Sequence, residues 1–281
     1  MAGYLHAIPM PPAHDASPEA LPATPPRAEV LDIPLAISDY GEVMDWMDAV
    51  IAAGGRASVT AAAVNLVMAA REDPQTMAAV LGTTLAVPDG QPLVWALHAL
   101  GHGRATRVYG PDLMAHYCAR AAQAGTPVYL YGGRTPEALE LLEARLRERF
   151  AGLRIAGGFS PPFRELTEAE RESVIADVEE SGAAVVWVGI GQPKQERWMA
   201  QMRPRLGAPL LVGVGAAFDF HAGLVSQAPG WMQRNGLEWV YRLSREPRRL
   251  WPRYVRYNPR FIAAFTAQYV RNRRARGGFG G

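Results

Sequence analysis

From Ala57 onward the chain alternates short, almost wholly apolar runs with longer stretches whose apolar residues recur every three or four positions. The apolar runs 57–60, 84–87, 127–131, 153–155, 184–190 and 209–214 predict strands. The periodic stretches 62–71, 75–81, 92–100, 111–124, 136–150, 168–180 and 193–202 predict the helices between them. A further helix over 39–53 carries Val43, Met44, Met47, Val50 and Ile51 at helical spacing and is stopped by Gly54-Gly55. Strands separated by helices form a parallel sheet, because each crossover needs a helix-length connection. The fold class is therefore α/β: a Rossmann-like, mostly parallel sheet with helices on both faces. Val185-Val186-Trp187-Val188 and Leu210-Leu211-Val212 lack polar alternation, which places them in central strands covered on both sides.

This pattern fails at both ends. Residues 1–28 hold seven of the 23 prolines among alanine and small polar residues, a composition that builds no core and predicts a disordered leader. After Gly230 the alternation gives way to tryptophan, tyrosine and arginine. The expected organisation is leader 1–28, Rossmann-like domain 29–230 and appendage 231–281. Pro247, Pro252 and Pro259 predict that the helical appendage breaks into two or three short pieces.

Charge sharpens the division. Residues 234–281 carry twelve arginines against Glu238 and Glu246, a net +10, although the whole chain sums to only +2. The remaining residues therefore sum to −8. A basic appendage interleaved with Trp and Tyr suits an anionic membrane surface, and the recurrence of Arg242, Arg245, Arg249, Arg253, Arg256 and Arg260 at steps of three or four predicts one basic stripe. A solvated helix face has the same pattern. The single Cys118 excludes an internal disulfide, and no multi-cysteine or HExxH zinc motif exists. No run of 18 uncharged apolar residues occurs, and the amino terminus has no secretory signal, so a cytoplasmic location is expected.

Ligands of open parallel sheets bind at the carboxyl ends of the strands. Four loops fall there: Pro88-Asp89-Gly90, Tyr131-Gly132-Gly133-Arg134, the segment from Gly189 through Gly191, Lys194 and Gln195 to Glu196, and the segment from Gly213 through Gly215 to Asp219. Asp89 is either an ordinary turn residue or a general base facing the crevice. Gly132-Gly133 is a tight turn or an approach to a diphosphate at a helix amino terminus, and the start of the 193–202 helix is a simple cap or a binding loop. No complete GxGxxG and no Asp-x-Asp occur, which disfavours a nicotinamide dehydrogenase and metal-dependent phosphate chemistry. Neither a metal site nor a cofactor is expected, and a departing diphosphate would have to meet arginine.

Five fragments in order carry a resemblance: Pro88-Asp89-Gly90; Arg107-Val108-Tyr109-Gly110-Pro111-Asp112-Leu113; Gly189-x-Gly191-x-Pro193-Lys194-Gln195-Glu196; Gly213-Val214-Gly215-Ala216-x-x-Asp219; and Gly236-Leu237-Glu238-Trp239 with Arg242 and Glu246-Pro247-Arg248-Arg249. Together they resemble the WecG/TagA/CpsF glycosyltransferases over roughly residues 30 to 265. The resemblance implies inverting, metal-independent transfer of a sugar from a UDP-sugar to a polyprenyl-diphosphate-linked acceptor. It places the enzyme peripherally on the cytoplasmic face of the bacterial inner membrane, with no nucleic-acid partner and with homo-oligomerisation left open. It implies Asp89 as base, Gln195 near the nucleotide sugar, Arg107 near the acceptor phosphate or the sugar, and Arg242 and Arg249 at the diphosphate, with Arg253 standing beside Pro252 where the family has a further arginine. The family's Thr-x-Asn is replaced by Ala61-Ala62-Ala63, leaving the flanking Thr60 and Asn65 to supply polar contacts or the sugar preference altered. A catalytically impaired scaffold is the alternative that this departure raises.

Overall fold

A computed structural model describes residues 21–277; the side chains of Arg249, Arg253 and Arg276, and residues 1–20, which hold most of the expected leader, lie outside what is described. Eight strands form one sheet: β1 (Arg27–Val30), β2 (Ile33–Ala36), β3 (Ala57–Ala62), β4 (Leu85–Pro88), β5 (Val128–Gly132), β6 (Ile155–Phe159), β7 (Val185–Gly189) and β8 (Leu210–Gly213). Their order is β1-β2-β4-β3-β8-β7-β5-β6, parallel throughout except for the β1–β2 hairpin at one edge. All six strands expected from the sequence are present, within a few residues of their predicted bounds.

The central strands show why their sequences are unbroken in polarity. Along β7, Val185 and Trp187 enter the core on one face while Val186 and Val188 enter that on the other. Along β8, Leu210 and Val212 alternate with Leu211 in the same way. Each such fully buried side chain contributes about 1.5–3 kcal/mol, so period-two burial on both faces demands apolar residues at every position. One face is covered by α1 (Tyr40–Ala52), α5 (Gly110–Ala124) and α6 (Pro136–Arg149), through residues such as Met47, Leu113 and Leu142. The other is covered by α2 (Val64–Glu72), α3 (Pro74–Leu81), α4 (Gln91–Ala99), α7 (Glu168–Ser181) and α8 (Lys194–Met202), through residues such as Leu66, Leu97, Val178 and Met199. Asp39 opens α1 and Thr167 opens α7, each with a reciprocal capping box that satisfies two otherwise orphaned amides.

Two expectations need correction. Arg27 and Ala28, assigned to the leader by composition, begin β1. A short α9 (Ala217–His221) closes the β8 loop, and the appendage divides into three helices as expected, but only α10 (Gly230–Arg234) and α11 (Glu238–Arg245) are short, while α12 (Pro247–Gly277) runs 31 residues through Pro252 and Pro259. Each interior proline removes one amide donor, freeing the carbonyls of Arg248 and Val255 four residues earlier. Both residues are exposed, so water meets those carbonyls without ending the helix.

The appendage is also docked on the body. Phe261 is buried among Leu31, Leu66 and Leu97, and Gln268 accepts the Leu31 amide (2.9 Å) while donating to the Glu29 carbonyl (2.9 Å). Arg256 and Arg260 both bond Glu72 of α2 (2.6 Å each). The predicted basic stripe is therefore divided: Arg242 turns toward the strand ends, while Arg256 and Arg260 are paired with the body. No helix among the described residues is long and apolar enough to cross a membrane.

Candidate active site

The carboxyl ends of the parallel strands open into a cleft of about 520 Å3. Its lining follows the sheet order: Asp89 after β4, Ala61 and Ala63 at β3, Val214 to Ala216 after β8, Gly189 to Gln192 after β7, Gly133-Arg134 after β5 and Pro161 to Phe163 after β6. Beside it, a smaller pocket of about 110 Å3 lies among α4, α11 and α12, lined by Arg107, Glu238, Trp239, Tyr254 and Tyr257. Asp89, Asn65, Ala63 and Arg242 line both.

Asp89 stands where two elements end and a third begins. Its main-chain amide donates to Ala62 at the end of β3 (2.8 Å), and its Oδ1 accepts the Gly110 amide at the start of α5 (2.7 Å). That amide and the positive end of α5 favour the ionised carboxylate. Burial opposes them more strongly, and with Glu238 also raising it against the lowering effect of Arg107, the carboxyl is pushed up to about 6. An aspartate so tuned is largely ionised at neutral pH yet basic enough to take a proton.

The appendage completes this corner. Arg107 Nε donates to the Asp89 main-chain carbonyl (2.6 Å), its Nη2 pairs with Glu238 Oε2, and its guanidinium lies 4.0 Å from the centre of the Tyr109 ring. Tyr109 Oη donates to the other oxygen of Glu238 (2.7 Å), so one carboxylate from α11 is gripped by two body side chains. The side chains of Arg107 and Glu238 are only 16% and 13% exposed, well below the usual surface pair. Arg242, one turn after Glu238, sits 5.6 Å from the Phe220 ring centre. Burial works against its charge, but Tyr254, Tyr109, Glu238 and Asp89 more than compensate, and its pKa stays raised.

The structure sorts the remaining predicted residues by depth. Gly133, Gly189, Gly191, Gly215, Lys194, Asn65 and Asp219 line the cleft. Thr60, Gln195 and Glu196, expected to bind substrate, lie fully buried beneath its floor. Thr60 Oγ1 donates to Glu196 Oε1 (2.7 Å), Gln195 Nε2 donates to the same oxygen (2.9 Å), and Gln195 Oε1 accepts the Gly215 amide (3.0 Å). They tie β3, α8 and the β8 loop together. Gly132 likewise serves packing: a Cβ there would stand 2.7 Å from the Gly189 carbonyl, while a Cβ on Gly189 would enter the Phe218 ring at 2.5 Å. Arg107 faces the smaller pocket and is committed to Glu238. The Arg249 and Arg253 side chains, expected at the diphosphate, fall outside the described residues.

Two more residues join the site: Arg134, named earlier only as the end of its loop, and Tyr40, which the sequence did not mark. Arg134 grips Asp219 with two bonds (2.9 and 2.8 Å) and reaches Glu246 at the start of the appendage (3.5 Å), bridging both parts across the cleft. Tyr40 Oη accepts the Tyr109 amide (3.0 Å) and so steadies the turn that presents Tyr109. Among the described residues no three His, Cys, Asp or Glu side chains converge as a metal site.

The model of the Glycosyl transferase WecG/TagA/CpsF family matches residues 28–275, nearly the whole of the chain. The chain belongs to that glycosyltransferase family.

Proposed function

From this membership, we propose that the protein is an inverting, metal-independent transferase that moves a sugar from a UDP-sugar to a polyprenyl-diphosphate-linked acceptor in surface-polymer synthesis. The observation that carries the reading is the meeting of two pockets at one tuned carboxylate, Asp89, with one buried guanidinium, Arg242, beside it. The larger cleft takes the donor. The smaller pocket, walled by the appendage, takes the acceptor.

In this arrangement the acceptor hydroxyl gives its proton to Asp89 as its oxygen attacks the anomeric carbon from the face opposite the leaving group. The bond from the anomeric carbon to the diphosphate breaks, and UDP carries away the electron pair. Arg242 and the amides at the start of α8 face the charge that develops there. Asp219 and Glu246 hold Arg134 across the same cleft.

An anionic membrane surface is the proposed source of the acceptor, on the cytoplasmic face. The described part of the appendage supports it: Trp231, Trp239, Trp251, Val255 and Ile262 are exposed, and the smaller pocket is walled by Trp239.

The test is release of UDP from a panel of UDP-sugars with a short-chain prenyl-diphosphate-sugar acceptor, with and without chelator. Acceptor-dependent release that survives chelation is expected, and Asp89→Asn should lower it by roughly two to four orders of magnitude with UDP binding nearly unchanged. Release that requires added magnesium would overturn the metal-independent step. Near wild-type turnover in the variant would remove Asp89 from it.

A further inference from the structure

Phe163 is the most exposed large apolar side chain among those described, with 88% of its surface in water, and it lies on the rim of the large cleft. A phenyl ring so exposed contributes almost nothing to folding. Its neighbours restrict where it can go. Pro161 and Pro162 restrict the backbone before it, and the residue after it, Arg164, holds Glu170 of α7 with two bonds (2.7 and 2.6 Å). Glu170 in turn belongs to the capping box with Thr167 that starts α7. The loop between β6 and α7 is therefore stiffened before the ring and tied to α7 after it.

Strand order says what that ring would meet. Asp89 follows β4, and Phe163 follows β6 at the opposite end of the cleft, with the β3, β8, β7 and β5 loops between them. Next to Asp89 come the small walls Ala61 and Ala63, then the amides at the start of α8, then Gly133-Arg134, and last the Pro-Pro-Phe loop. A nucleotide sugar has its parts in the same order: reacting sugar, diphosphate, nucleoside. With the anomeric carbon fixed at Asp89, the nucleoside is the part of the donor directed toward the β6 end. The acceptor pocket lies on the other side of Asp89, against α4, α11 and α12, so the acceptor does not compete for the ring.

We propose that Phe163 is the stacking platform for the donor's nucleobase, the residue that makes this cleft take a nucleoside diphosphate rather than a bare diphosphate. The inference rests on the nucleotide-sugar reading above and adds to it the group that recognises the base. Stacking needs only the π face of the base, so an aromatic substitute should serve as well.

The experiment is titration of the full chain with UDP and, separately, with inorganic diphosphate. Removing an exposed ring leaves the core untouched, so Phe163→Ala should fold as the wild type does. It should weaken UDP by about five- to a hundredfold while leaving diphosphate unchanged, and Phe163→Trp should restore UDP binding. Unchanged UDP affinity in Phe163→Ala overturns the platform while the donor reading stands. Equal weakening of UDP and diphosphate also overturns it, because the loop would then act on the phosphates. A wild-type protein that binds UDP no better than diphosphate, and that releases no UDP in the turnover assay, overturns the donor reading itself.

Discussion

Two buried polar networks lie a few residues apart at the carboxyl edge of the sheet, and they are built differently. Under the cleft floor, Thr60, Gln195, Glu196 and the Gly215 amide, all of the Rossmann-like body, are hydrogen-bonded to one another. At the corner of the cleft, Asp89, Arg107 and Tyr109 of the body close only when Glu238 and Arg242 arrive from the appendage. The first network carries a single carboxyl, one oxygen of which accepts from a hydroxyl and a side-chain amide. The second sets two carboxylates against two guanidiniums with little solvent around them, an arrangement whose members are costly to leave unpaired. The difference separates shape from reactivity: the floor belongs to the body alone, while the corner beside Asp89 is completed by α11.

Paired substitutions break this comparison most sharply. Glu238→Ala leaves the Arg107 guanidinium buried without its partner, so α11 should loosen and turnover should fall by on the order of 100-fold, while the body melts close to its normal temperature. Glu196→Ala should do the reverse. It strands the Thr60 hydroxyl and the Gln195 amide in the core and should cost about 2–3 kcal/mol of stability, with much smaller loss of kcat in the protein that remains folded. Thermal unfolding and kcat measured on both variants decide the matter. Equal losses of stability and activity in both would mean that the two networks are one.

The pH dependence sharpens the same contrast at smaller amplitude. With its carboxyl pushed up to about 6, Asp89 should give kcat/KM an acid limb that rises with pH and levels above about 6. Glu238 is one of the groups that raise it and Arg107 one that lowers it, so Glu238→Gln should move this limb toward lower pH. Stability carries the opposite sign. The folded state holds the Asp89 proton more tightly than the unfolded chain does, so this group favours folding when protonated, and that contribution is lost as pH rises from about 4 through about 6. Asp89→Asn should therefore be more stable than wild type at pH 7 to 8, by about 1–2 kcal/mol for a carboxyl that still touches the cleft, and the gain should vanish near pH 4. Melting curves at the two pH values test it.

What the sequence disclosed follows the same division. Strands β7 and β8 were the most legible, because burial on both faces leaves no polar position to disguise them. The β1–β2 hairpin was not, because Leu31 and Asp32 take positive φ values of 51° and 70° in a turn that usually advertises itself with Asn or Gly. Its support comes from Gln268, 237 residues away from Leu31. Asp89 and the glycine loops were found by their place at strand ends. Gln195 and Glu196 were rightly placed near those ends, yet the direction in which the first turn of α8 aims them depends on how the helix packs, and it aims them down. Tyr109 and Glu238 stood inside the fragments that carried the family resemblance, so a signal existed. Their roles emerged only as partners, since neither side chain means much until α11 meets the body.

The smallest effect concerns the far end of the appendage, where the contrast between shape and reactivity predicts near silence. Glu72 on α2 accepts from Arg256 and Arg260, and its side chain is 28% exposed while theirs are 56% and 58%. Exposed pairs of this kind contribute between about 0 and 1 kcal/mol, because solvent screens the attraction and ordering two long side chains costs entropy. The apolar seat of Phe261 and the two bonds of Gln268 hold the same helix without charge. Glu72→Gln should accordingly lower stability by less than about 1 kcal/mol, a loss that shrinks further in 0.5 M salt as the screening length falls below about 5 Å. Turnover on a short soluble acceptor should stay within about twofold, since Glu238 and Arg242 remain seated. Lipid binding should rise slightly, because two arginines lose a competing carboxylate. A large drop in turnover would mean that the charge pair at α2 sets the position of α11, and the separation between a self-contained floor and a docked corner would then extend along the whole appendage.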